Sequence, residues 1–160
     1  MTRILAAIFA LSAAACASAE SRLTPEAAAV LSAPERRDAL PAQTLVRGEC
    51  GLFLFELRAP NSFVLFENET ARRVKILDDG LVVELGVPPQ ASVMVPGERF
   101  RRVYLDQGSN TTYALTGRVG EATGDDQQLE DVILRARLLD GTETVTPLGG
   151  VRRCVTRRAG

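Results

Sequence analysis

Three kinds of side chain in this sequence are able to do chemistry: cysteines at 16, 50 and 154, arginines gathered at 99–102 and 135–137, and acids at 125–131. Arg99, Arg101 and Arg102 surround Phe100, while Arg135 and Arg137 have the spacing that puts both on one face of a strand. Brought together on neighbouring strands, they would form an anion or partner contact, because a guanidinium pairs well with carboxylate or phosphate. The competing reading is a solvated sheet face balanced by Glu56, Glu67 and Glu84. Asp125, Asp126, Glu130 and Asp131 offer oxygen ligands but lack the DxDxDG spacing of a calcium loop, so they read as an ordinary acidic loop. Twenty acids are present and no spacing isolates a pair for glycoside hydrolysis.

Absences narrow the chemistry further. The chain has no histidine, which removes Ser-His-Asp triads, Cys-His dyads and imidazole metal sites. Tryptophan is also absent, and Tyr104 and Tyr113 are the only tyrosines, too few for a broad sugar-stacking platform. These features lead to the expectation of a protein that is not an enzyme and uses no metal or cofactor. A formal net charge of −1 gives no reason to expect nucleic acid as a partner. Arg152-Arg153 and Arg157-Arg158 make the C-terminal end basic, suited either to anionic head groups and wall polymers or to a frayed soluble end.

Met1-Thr2-Arg3 is a short positive start, and Ile4 to Ala15 is an apolar run that suits the core of a secretory signal and is too short to span a bilayer. Two cleavage readings compete. Ala13-Ala14-Ala15-Cys16 resembles a bacterial lipobox, with Ala13 where leucine is usual, and makes Cys16 the lipidated first residue of an outer-membrane lipoprotein. Ala17-Ser18-Ala19 before Glu20 fits ordinary signal peptidase and a freely secreted product. The lipobox is preferred because Cys16 closes the apolar run. Loss of residues 1–15 removes Arg3 and no acid, leaving 18 of the 19 basic residues against 20 acidic ones.

Either route takes Cys16 out of folding. Cys50 and Cys154 then remain as an even pair in an oxidising compartment, and a disulfide between them is the default expectation. The expected location is the periplasm, with membrane contact only through a lipid on Cys16.

The elements that must position these groups follow from pattern. Residues 16–43 are rich in alanine, proline and charge and read as a spacer. Thr24-Pro25-Glu26 starts a short helix in it, and Pro34 stops that helix. The alternative is a helix packed on the domain through Val30 and Leu31.

From Thr44 to the end the period is two. Leu52 to Arg58 and Ser62 to Glu67 are strands around the turn Ala59-Pro60-Asn61. Arg73–Leu77 and Leu81–Leu85 flank Asp78-Asp79-Gly80, the clearest hairpin in the chain. Ser92–Val95, Arg99–Leu105 and Thr111–Arg118 read as further strands, and 120–128 as a flexible surface loop. Val132 to Leu139 is a half-buried strand, Asp140-Gly141 turns into Thr142–Thr146, and Val151–Thr156 is the last strand. The expected fold is all-β: an antiparallel barrel or sandwich of about eight short strands, with the disulfide between an early strand and the last one tying the sheet's two ends together, as suits a barrel closing on itself.

Cys50 with Phe53 soon after, Phe66-x-Asn68, the Asp79-Gly80 hairpin before Val82-x-x-Leu85, and a cysteine in the final strand give the chain a further likeness. Over residues 50–154 it loosely resembles the membrane-bound c-type lysozyme inhibitor family of small periplasmic β-barrel lipoproteins. That resemblance implies a barrel fold and inhibition of lysozyme by an inserted loop. The family's inhibitory Ser-Gly loop and later lysine have only displaced stand-ins in Ser109-Asn110 and Arg118. The expectation is therefore a non-catalytic envelope protein that binds another envelope protein or a cell-wall component, with inhibition of a peptidoglycan hydrolase as the alternative.

Overall fold

The computed structural model describes residues 36–89 and 94–156. The expected leader, Cys16, the helix begun at Thr24, the first part of the strand expected from Ser92, and Arg157 and Arg158 lie outside the described residues. Among the described residues there is no helix. Eight strands follow one another: β1 (Cys50–Glu56), β2 (Phe63–Asn68), β3 (Arg73–Asp78), β4 (Leu81–Gly86), β5 (Arg99–Asp106), β6 (Thr111–Thr123), β7 (Asp126–Arg137) and β8 (Glu143–Cys154). They form one antiparallel sheet in the order β4-β3-β2-β1-β8-β7-β6-β5. The all-β barrel-like fold expected from the period-two pattern is what forms.

The order puts β1 and β8 together in the middle of the sheet and leaves β4 and β5, consecutive in sequence, as its two edges. The sheet curls so that inward residues from across it share one core. Leu52, Leu54, Leu65, Val74 and Ile76 come from one half, and Phe100, Leu115, Val132 and Leu148 from the other. Between β4 and β5 there is a seam with no backbone ladder.

Cys50 and Cys154 are bonded, and they face each other in register across β1 and β8, with α-carbons 4.0 Å apart. The expected disulfide between the first and last strands forms, but it does not tie the sheet's two ends together, because those ends are β4 and β5. The two strands are already neighbours by hydrogen bonding, so the bridge pins the centre of the sheet, and the opening lies elsewhere.

Local chemistry explains the turns. Asp79 and Gly80 both have positive φ, +46° and +77°, and join β3 to β4 with Asp78 opposite Leu81. Two central residues with positive φ are what a tight hairpin of matching twist requires. Gly141, at φ +88°, turns β7 into β8. At the β5–β6 turn the Asp106 carboxylate accepts from the Ser109 hydroxyl at 2.7 Å and the Gly108 N–H at 2.9 Å, which holds its pKa below the usual value.

Three further expectations need correction. Residues 120–128 are not a loop: β6 runs to Thr123, β7 starts at Asp126, and only Gly124 and Asp125 turn. The segment is polar, yet its ladder to β8 persists, and Gln127 and Leu129 are buried. Backbone hydrogen bonds hold a strand whose outer side chains are mostly hydrophilic. Thr142–Thr146 and Val151–Thr156, expected as separate strands, merge into one continuous strand, β8. Pro147 pairs with Ile133 of β7, and its carbonyl accepts from the Leu57 N–H at 3.3 Å, so the ladder bond forgone at the missing proline N–H falls just past the end of β1. Gly150 fits because a β-carbon there would collide with the Phe53 carbonyl oxygen of β1. Finally, Met94 and Val95 of the expected strand at 92–95 are not in a strand.

Residues 36–45 lie along the outer face of β2 and β3. Leu40 is buried, and its N–H donates to the Phe63 carbonyl at 2.7 Å, while Lys75 Nζ donates to Gln43 Oε1 at 3.1 Å. This cover buries β2 on both faces, and Val64, Leu65, Phe66 and Glu67 are all shielded from solvent.

Candidate functional site

Two groups of charged side chains stand out, one on each side of the sheet. Strand parity separates them: Arg99 and Arg101 are exposed on the outer face of β5, whereas Phe100, Arg102 and Tyr104 point into the core.

The outer group flanks a groove. Its floor is β6, where Thr112, Ala114, Thr116 and Gly117 are small enough to leave a depression between longer side chains on either side. At one end it measures about 520 Å³ and is bordered by Arg99, Arg101, Arg118 and Asp131. At the other it measures about 290 Å³ between Arg101, Arg135, Arg137 and Glu143. Gly117 is fixed by local packing, since a β-carbon there would come within 2.8 Å of the Phe100 ring. β7 carries a bulge at Glu130 and Asp131, the latter at φ +51°, beside that end.

The charges in the groove are not evenly balanced. Glu143 accepts from both Arg137, at 2.8 Å, and Arg135, at 2.7 Å, and these bonds lower its carboxyl pKa. Arg99 stands directly opposite Arg118 across the β5–β6 ladder. Neither these two nor Arg101 makes an ion pair among the described residues. Glu130 faces Arg118 from β7, but its carboxylate turns toward Gly120, where a β-carbon would lie 2.9 Å from it. Directly opposed like charges weaken a strand pair, so this arrangement is not explained by stability.

The inner group ties the two halves of the curled sheet together. The Tyr104 hydroxyl on β5 donates to Glu67 Oε2 on β2 at 2.5 Å. Arg102 Nη2 meets Glu69 Oε1 at 2.7 Å, and Arg152 Nε on β8 meets the other oxygen of Glu69 at 2.8 Å. Tyr113 on β6 donates to Asp78 at the end of β3 at 2.7 Å. Burial pushes the Glu67 carboxyl above its ordinary pKa, opposed by the Tyr104 bond and the Arg102 charge. Burial and the adjacent carboxylate raise Tyr104 well above the ordinary tyrosine value, so it stays protonated as a donor.

Of the five arginines expected to form a contact, four therefore lie on the outer groove and Arg102 lies inside. The acids expected to balance them are elsewhere: Glu67 belongs to the interior group, and Glu143 takes the outer role. The interior grouping of Glu67, Glu69 and Tyr104 was not anticipated from pattern. A signal existed, since Glu67 shares parity with Leu65 and so continues an apolar face with an acid.

No family model, curated protein or solved structure matches the chain.

Proposed function

We propose that this protein is a non-catalytic binding protein of the cell envelope, and that its outer groove holds an anionic envelope component. The observation that carries this reading is the trio of Arg99, Arg101 and Arg118, without ion pairs among the described residues and two of them directly opposed, around a groove floored by small residues. A sheet under selection for stability alone would place opposite charges there. An incoming polyanion supplies the missing negative charge and removes the repulsion.

Location outside the cytoplasm is supported by the leader-like start and by the Cys50–Cys154 bond, which persists in oxidising compartments. Attachment through a lipid on Cys16 would hold the domain at the membrane surface, within reach of other envelope proteins and the wall. A non-catalytic role is supported by the lack of histidine and by the use of the buried acids and tyrosines as ties across the core.

The test is binding of the purified chain to poly-glutamate and to a phosphate-bearing polymer over a range of salt. Salt-sensitive binding that is abolished by the triple replacement of Arg99, Arg101 and Arg118 by alanine supports the reading. Equal binding of a neutral polymer, or an unaffected triple variant, defeats it. Inhibition of lysozyme in a parallel assay would move the assignment to the inhibitor alternative.

A further inference from the structure

A second site lies at the seam, on the opposite side of the sheet from the groove. A cleft of about 250 Å³ is lined by Glu67, Glu69, Arg72, Arg102 and the stretch Val87 to Pro89. Arg102 is only 3% exposed there, and its Nε is buried with no hydrogen-bond partner. Glu67 Oε2 is 3.9 Å away and already accepts from Tyr104. A buried guanidinium N–H left without an acceptor is costly, and native proteins rarely keep one without a use.

The charges around this cleft are unequal. Both oxygens of Glu69 are engaged, one by Arg102 and one by Arg152. Arg72 approaches from the β2–β3 turn. Its Nε donates to the Val87 carbonyl at 3.2 Å, and it makes no ion pair among the described residues. Arg72 and Arg102 line the cleft with Glu67 and Glu69, and Glu69 is shared with Arg152, which does not line it, so three guanidinium groups stand against two carboxyls. Pro88 and Pro89 form a rim that offers no N–H donors.

We infer that the seam cleft binds one small oxyanion, a carboxylate or a phosphate, between Arg102 Nε and Arg72. The anion supplies the acceptor that Arg102 lacks and offsets the excess positive charge. Glu67 faces the same space and sets the pH dependence. Tyr104 and Arg102 from β5, Glu69 beyond β2, Arg72 from the turn and Arg152, through Glu69, from β8 are the charged and titratable groups around it. With its pKa raised by burial, Glu67 is more readily neutral than an ordinary carboxyl. As a neutral acid it does not repel the anion, and it has a proton to donate to it. Binding therefore tightens as pH falls through the Glu67 pKa.

The test is titration of the full chain with inorganic phosphate and, separately, with acetate, followed by calorimetry and by the Arg102 Nε–H resonance. Saturable binding that shifts this resonance is expected, with affinity rising more steeply in the parent than in Glu67→Gln as pH falls. Arg72→Ala should weaken binding by about tenfold, and Glu67→Gln should flatten the pH dependence relative to the parent. The triple groove variant should bind as the parent does, which separates this site from the outer groove. An unmoved Arg102 resonance at saturating anion, or binding lost in the groove variant and kept in Arg72→Ala, overturns the inference. Which of phosphate and acetate binds more tightly identifies the class of oxyanion.

Discussion

The Tyr104 hydroxyl on β5 donates to Glu67 on β2 at 2.5 Å, joining an edge strand to the opposite half of a sheet that has no ladder between its edges. Tyr104→Phe removes the donor and leaves a buried carboxyl with one partner fewer. The expected cost is about 1–3 kcal/mol, read from the urea midpoint, because an unsatisfied buried polar group loses its solvation without compensation. An unchanged midpoint would show that the seam is held by the apolar core alone.

Glu67 gives the fold a dependence on pH of definite sign. Its folded pKa is raised, so its contribution is fully present below the unfolded value of 4.5 and is lost as pH rises through the folded value. Glu67→Gln keeps an acceptor for Tyr104 and has no ionisation to penalise. Stability measured across this window should fall with pH in the parent and fall less in the variant. Parallel pH profiles for the two proteins would contradict the assignment.

The disulfide closes a loop across a sequence separation of 104 residues. Cys154→Ser should lower stability by up to about 4.7 kcal/mol, the chain-entropy value for a loop of roughly that size. Chemical denaturation of the variant beside the oxidised parent checks this, and identical midpoints would mean that the bridge adds nothing to the β1–β8 ladder.

Gly150 is fixed by the close approach of β1. Gly150→Ala sets a methyl group against the Phe53 carbonyl and should destabilise by about 1–3 kcal/mol, the usual cost of overpacking, whereas Gly86→Ala meets no neighbour within 4 Å. Thermal unfolding of the two variants should separate them clearly. Equal behaviour would refute the role given to Gly150.

Arg118 offers a direct test of the outer groove. Replacing it by threonine removes the repulsion from Arg99 and should stabilise the β5–β6 pair by about 0.2–1 kcal/mol. The same change should weaken polyanion binding. A variant that loses stability or binds as tightly as the parent would count against a functional origin for the opposed arginines.

Much of this architecture is legible in the linear chain where the cause is local. The Asp79-Gly80 turn announces itself, because those residue types tolerate positive φ. Strand parity alone separates Arg101 from Arg102. Parity does not say which face is the inner one, and that depends on how the sheet curls. Gly149-Gly150 looks like a break in the sequence and is instead a place where another backbone passes close, a fact set by a strand some 100 residues earlier.

The two-residue period, most of the turns and the pairing of Cys50 with Cys154 were already written in the order of the amino acids, because each rests on backbone preference or on the count of available thiols. Folding in three dimensions was needed to bring β1 and β8 to the centre of the sheet and to leave the seam between β4 and β5. It was needed, too, to join Arg102 to Glu69 inside while Arg99 meets Arg118 outside. These placements depend on residues distant in the chain. They are settled by curling one sheet around one core, which no short stretch of residues encodes.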